Sequence, residues 1–227
     1  VIICIKINSS FLQELYLYER GELLMNQRKS LKELNLLDKF LFDEAMDDPE
    51  NVKIMLDIIL SQNTNLKHPP QTEKEQRTST DNRQIRLDVY AIDEDDVIYE
   101  VEAQKENTHN LPKRSRLYQG IIDSKLLPPG VVDFNLLNEV LIVLIMPFDL
   151  FGYGLYRYTF QMRCEEVPEL KLDDGAIRIF LNTRGKHPEL VSPELIELLK
   201  YMEHSTDEVS GTCKSKQIQE MHRRICQ

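Results

Sequence analysis

The run Val140-Leu141-Ile142-Val143-Leu144-Ile145-Met146, bounded by Glu139 and Pro147, limits the fold more than any other feature of the chain. It is far too short to cross a bilayer. It also lacks the alternation of a half-buried strand, so it fits a strand buried on both faces at the centre of a sheet. Such a strand needs a covering layer on each side. The chain has 227 residues, 41% of them hydrophobic, enough for one α/β domain with a helical appendage.

The flanking patterns supply the covering elements. Ser30 is an N-cap candidate for a helix whose stripe is Leu31, Leu34, Leu37 and Leu41 and which runs to about Met46. Asp48-Pro49 starts a second helix, with Val52, Met55, Leu56, Ile59 and Leu60 on one face. The polar stretch from Ser61 to Arg83 reads as a long loop. From Ile85 the period changes to two, with Ile85, Leu87, Val89 and Ala91 on one face and Arg86, Asp88 and Tyr90 on the other. The acidic cluster Asp93-Glu94-Asp95-Asp96 breaks this strand, and Val97 to Gln104 resumes it, giving a β-hairpin. Pro112 suits the first turn of a helix over Leu111–Leu126. Further strands are expected at Leu155–Met162 and Ala176–Leu181, and a helix opened by Ser192-Pro193 carries Leu195, Leu198, Leu199 and Met202. From about His204 the chain is polar and reads as a loosely attached helix or tail.

Charge and cysteine usage narrow the function classes. A net charge of −10 argues against broad attraction to phosphate, so any nucleic-acid contact must be local. Basic residues cluster at Lys113-Arg114-Ser115-Arg116 and at Lys214, Lys216, Arg223 and Arg224; each cluster reads equally as a solvated helix face. Cys4, Cys164, Cys213 and Cys226 are far apart, which indicates neither a zinc knuckle nor a disulfide framework and fits reduced thiols in the cytoplasm. The opening Val-Ile-Ile-Cys-Ile is too short for a secretory signal. The five histidines show no paired metal spacing, and no P-loop or Ser-His-Asp pattern is present.

The hairpin carries the candidate chemistry. If its turn centres on Asp95, Asp88 and Glu102 lie opposite each other with β-carbons about 5 Å apart, and like charges so placed destabilise a hairpin unless compensated. Glu100 and Gln104 share that face, so it offers three carboxylates and an amide. Magnesium takes oxygen ligands and keeps several waters, so two carboxylates on adjacent strands suffice for the protein's share of its shell. By pattern alone the same residues also read as the solubilising face of a hairpin. On the next helix, Arg114 and Tyr118 at i and i+4 share a face, suited either to nucleic-acid contact or to helix packing. The aromatic stretch Pro147-Phe148-Asp149-Leu150-Phe151-Gly152 fits either stacking on bases or packing under a turn.

Arg86-Leu87-Asp88-Val89-Tyr90-Ala91 followed by Tyr99-Glu100-Val101-Glu102-Ala103-Gln104 resembles the Asp…Glu-x-Gln form of the PD-(D/E)xK nuclease superfamily, in its recombination-promoting nuclease branch, which carries a transposase label. Leu31 to Asp38, Asp48-Pro49-Glu50-Asn51, Leu111 to Tyr118, Pro147 to Gly152, Tyr158-Thr159-Phe160 and Ile179 to Thr183 resemble that branch in the same order. The resemblance spans residues 31–203, leaving 1–30 as an N-terminal extension and 204–227 as a polar tail. It implies a restriction-endonuclease-like α/β core, a central mixed sheet flanked by helices, and a DNA endonuclease holding Mg²⁺ or Mn²⁺ at Asp88 and Glu102. Gln104 takes the place of the superfamily's usual lysine and would orient water or phosphate as the third catalytic residue; Arg114 and Tyr118 would meet the nucleic acid. An amide brings no positive charge to a transition state, so the alternative is a weak or inactive nuclease-fold module that binds nucleic acid or a protein. Lys105 replaces a lysine at 104 only if the strand ends or bulges there. Asp38 and Glu44 on the first helix are unassigned candidates for a further ligand. DNA is the expected partner, with no membrane and with a homodimer left open.

Overall fold

The computed structural model describes residues 34–76 and 85–226. The described elements are helices α1 (Lys39–Met46) and α2 (Pro49–Leu60), strands β1 (Gln71–Gln76), β2 (Ile85–Ile92) and β3 (Ile98–Ala103), and helix α3 (Leu111–Asp123). Strands β4 (Val140–Met146), β5 (Arg157–Phe160) and β6 (Ala176–Asn182) follow, and then helices α4 (Pro193–Glu203), α5 (Asp207–Thr212) and α6 (Lys216–Ile225). The strands form one sheet in the order β1-β2-β3-β4-β6-β5. β3, β4 and β6 run parallel, while β1, β2 and β5 pair antiparallel with their neighbours. This is an α/β fold with a mixed sheet flanked by helices, compatible with a restriction-endonuclease-like core.

The apolar run is β4, central in the sheet and buried along its whole length. One face of the sheet, with Val89, Val101, Val143 and Ile145, packs under α1, α2, α4 and α6. The other, with Ile98, Ile142, Leu144 and Phe180, packs under α3. Two covering layers are what a strand with no polar face demands.

Several local readings change. The helix carrying Leu41 begins at Lys39, after residues 34–38, and residues 31–33 lie outside the described residues, as does the N-terminal extension 1–30. Leu37 is buried as the apolar stripe implied, and Leu36 is buried beside it, but residues 35–38 form a turn. Short polar side chains there compete with the helix. Asn35 Oδ1 accepts from the Leu37 amide and Asp38 Oδ2 from the Asn35 amide, 3.0 Å each. The stretch expected to be only loop contains β1, an edge strand written Gln-Thr-Glu-Lys-Glu-Gln. Its charged composition hides it from hydrophobic patterning while suiting an unpaired edge. β5 is shorter than expected, and α3 ends at Asp123. The segment after His204 is not loosely attached: Cys213, Ile218 and Met221 are buried in the main apolar cluster, and α6 packs against α2 and α4. No described helix is long and apolar enough to cross a membrane.

Candidate active site

The hairpin turn is organised by one of its acidic residues. Asp93 Oδ1 accepts from the amides of Asp95 and Val97, and its Oδ2 from the Tyr99 hydroxyl at 2.6 Å. Asp96 then takes a left-handed conformation, φ 62°, which a short polar residue tolerates. This turn sets the register Val89↔Val101, Tyr90↔Glu100 and Ala91↔Tyr99, and one further step places Asp88 opposite Glu102, as the sequence implied. Both residues are buried and line one cleft of about 570 Å³ at the carboxyl end of β3, together with Asp38, Lys39, Gln104 and Lys105.

Each outer carboxylate has a cation. Lys39 Nζ, from the first turn of α1, lies 2.5 Å from Asp88 Oδ1. Arg114 Nη2, from α3, donates to Glu102 Oε1 and, at 2.5 Å, to Gln104 Oε1. Arg114 is therefore turned inward and bridges the Glu102 and Gln104 positions of the motif. Gln104 is committed at both ends, its Nε2 donating to the Glu106 carbonyl at 2.6 Å. Tyr118 is buried beside Arg114, whose guanidinium carbon lies 5.8 Å from the ring centre. Burial, reinforced by the Glu102 charge, pushes the Tyr118 phenol above its usual range. β3 ends at Ala103, and beyond it Lys105 swings to the cleft, 2.5 Å from Asp38 Oδ1. The strand thus ends where Lys105 needs it to in order to reach the site.

Glu100 lies deepest. It is fully buried, and neither of its carboxylate oxygens has a hydrogen-bond partner; Glu102 Oε2 is buried and equally without one. Burial, with the charges of Glu102 and Asp88 behind it, pushes the Glu100 carboxyl well above the usual carboxylate range. Burial likewise lifts Glu102 to about 7, against the attraction of Arg114 and with the repulsion of Asp88. Burial works against the Lys39 ammonium, yet its contacts with Asp88 and Asp43 outweigh that and raise its pKa.

Orphaned buried acceptors are rare in folded proteins, and three on adjacent acidic side chains call for a proton or a cation. An all-oxygen donor set of Asp88, Glu100 and Glu102 fits a hard divalent ion such as Mg²⁺ or Mn²⁺. The three carboxylates are not drawn tightly together. Among the described residues, ligand atoms of three groups all within 4.8 Å of one another occur elsewhere, at Asp207, His222 and Cys226.

Sequence reading left Lys39 and the depth of Glu100 unassigned. Lys39 has no motif, because its place follows from where α1 starts. Glu100 was visible as a third acid on the same face of the hairpin, but its burial depends on the α3 layer. Of the unassigned acids, Asp38 stands at the N-cap position of α1 without a side-chain cap bond and pairs with Lys105, and Glu44 lines a neighbouring cleft with Asp43 and Asp47. The Pro147–Gly152 stretch packs under a turn: Asp149 accepts from the Phe151, Gly152 and Gly154 amides and from the Tyr158 hydroxyl, and Phe151 sits against Tyr158, Phe160 and Phe180. No family model, curated protein or solved structure matches the chain, so the site rests on its own geometry.

Proposed function

We propose that the chain is a metal-dependent DNA endonuclease that hydrolyses phosphodiester bonds, with Asp88 and Glu102 holding Mg²⁺ or Mn²⁺ and Glu100 beneath them. The observation that carries this reading is the buried acidic column of Asp88, Glu100 and Glu102, in which three carboxylate oxygens have no hydrogen-bond donor. A divalent ion held by Asp88 and Glu102 would lower the pKa of a bound water and offset charge on a phosphate. Gln104 holds Arg114 through its Oε1 and so steadies the guanidinium that also binds Glu102. Lys39, Arg86 and Lys105 bring cations to a cleft that also carries Asp38, Asp88, Glu102 and Glu106. Tyr118, packed beneath Arg114, positions it rather than meeting the nucleic acid directly. The link to recombination or mobile elements belongs to the same reading and rests on the motif resemblance.

A second reading has its own observation. Lys39 and Arg114 already neutralise Asp88 and Glu102 without a metal, which suits a nuclease fold that binds nucleic acid or a protein and does not cleave. Purified protein incubated with supercoiled plasmid in Mg²⁺, Mn²⁺ or chelator separates the two. Nicking that requires metal and disappears in Asp88→Asn supports the enzyme. Plasmid retention without nicking in any metal supports the binding module.

A further inference from the structure

The α4–α5–α6 corner carries a second cluster with a different donor set. His222 on α6 places Nε2 2.8 Å from Asp207 Oδ1 at the start of α5. Cys226, one turn after His222, places Sγ 3.8 Å from the same Nε2. Asp207 Oδ1, His222 Nε2 and Cys226 Sγ therefore face one another with every separation under 4.8 Å. Around a tetrahedral zinc ion with ligand bonds of about 2.0 to 2.3 Å, an N–O edge is about 3.3 Å and an N–S edge about 3.5 Å. The N–O separation is shorter and the N–S separation longer than these values, so the side chains would have to rearrange around an ion.

A second observation concerns the other ring nitrogen. His222 Nδ1 lies 2.8 Å from the hydroxyl of Tyr201, a fully buried residue of α4 whose ring meets the imidazole edge-on at 5.6 Å. Metal-ligating histidines characteristically hand their remaining N–H to such a group, which fixes ring orientation and tautomer. A hydroxyl both donates and accepts, so Tyr201 serves either tautomer. With Nε2–H on Asp207, the Tyr201 hydroxyl donates to Nδ1; with Nε2 turned to an ion, it accepts from Nδ1–H. Burial keeps that phenol protonated. Asp207 is half exposed, which leaves the fourth position open to solvent.

From this convergence we infer that Asp207, His222 and Cys226 form a binding site for a borderline-soft transition-metal ion of the Zn²⁺ or Co²⁺ class, independent of the carboxylate cleft. Thiolate and imidazole select such ions over Mg²⁺, and the Cys226 thiol gives up its proton to solvent on binding. The ion would tie α5 to α6 and so fasten the C-terminal helices to the core. The two sites also differ in what they exclude: the cleft offers oxygen alone, and this corner offers one atom each of oxygen, nitrogen and sulfur.

Titrating the reduced, full-length protein with Co²⁺ tests the inference, because a thiolate–cobalt bond has a charge-transfer absorption that carboxylate sites lack. One equivalent should bring in this band, excess Zn²⁺ should bleach it, and Mg²⁺ should not. Asp88→Asn should keep the band. Cys226→Ser should lose it and weaken Co²⁺ binding at that site at least tenfold, while its metal-free melting temperature stays at the wild-type value. A band that survives in Cys226→Ser, or Co²⁺ binding without any thiolate band, overturns the assignment.

Discussion

Strand β3 buries all six of its residues, yet its two faces meet opposite surroundings. Tyr99, Val101 and Ala103 enter the layer under α1, α2, α4 and α6, where the hydroxyl of Tyr99 is satisfied by Asp93. Ile98, Glu100 and Glu102 enter the layer under α3, and there two of three residues are acids with unsatisfied oxygens. Burial alone therefore does not distinguish a core strand from a functional one. The distinction lies in whether buried polar atoms find partners, since an unpaired carboxylate in a dry interior must stay protonated or attract a cation.

Putting an acid on the apolar face should have the largest effect. Val101→Glu places a carboxylate among side chains with no cation at hand, and a loss of about 3 to 5 kcal/mol, the scale of an uncompensated buried charge, is expected in chemical denaturation. A near-neutral result would mean that the two faces do not differ as described. Next comes the rate: Glu102→Gln keeps an acceptor for Arg114 but removes a charge from the proposed metal site. Cleavage should slow roughly a hundred- to a thousandfold, equivalent to about 2.7 to 4 kcal/mol, with folding in chelator intact. Single-turnover nicking beside a thermal melt separates these effects.

Smaller effects sharpen the comparison. Glu100→Met replaces an unpartnered acid with an apolar side chain of similar length, and should stabilise the metal-free protein by about 1 to 3 kcal/mol while weakening Mn²⁺ binding. Unchanged Mn²⁺ affinity in calorimetry would remove Glu100 from the site. The titration of Glu102 has a definite sign. Its carboxyl is raised from 4.5 to about 7, so the folded state binds the proton more tightly than the unfolded chain does. In chelator its contribution to stability is fully present below pH 4.5 and is lost as pH rises through about 7, and Glu102→Gln should flatten that slope in melts across the same window. Smallest of all, Gln104→Ala releases one anchor of Arg114. It should cost about 1 kcal/mol of stability and slow cleavage while leaving Mn²⁺ affinity near wild type.

What was legible in the sequence follows from what is local. The hairpin register could be read because its turn residues lie between the strands they align, and β4 because nothing in it is polar. β1 was illegible because Gln-Thr-Glu-Lys-Glu-Gln has no apolar side chain to alternate, so it looks like loop. The C-terminal helices were underrated because their apolar contacts, Ile218 and Met221, are few and meet residues far away in sequence. In the site, Asp88, Glu102 and Gln104 were readable from the motif. The cations on them were not fully so: Arg114 reaches back from α3 to hold Glu102 and Gln104 together, and Lys39 and Lys105 arrive by way of a helix start and a strand end. Asp207, His222 and Cys226 escaped notice because only two of the three share a helix.

The turn held by Asp93 determines how this hairpin can change over evolutionary time. Substitutions along β2 and β3 alter one side chain each, but inserting or deleting a single residue between Asp93 and Val97 would shift the partnership of every pair beyond it. Side chains alternate along a strand, so such a slip would turn Glu100 and Glu102 into the apolar layer and bring Val101 and Ala103 to the cleft. Lineages carrying this site should therefore vary freely at Glu94 and Asp95, which are exposed, while keeping the turn's length fixed and an acid at Asp93.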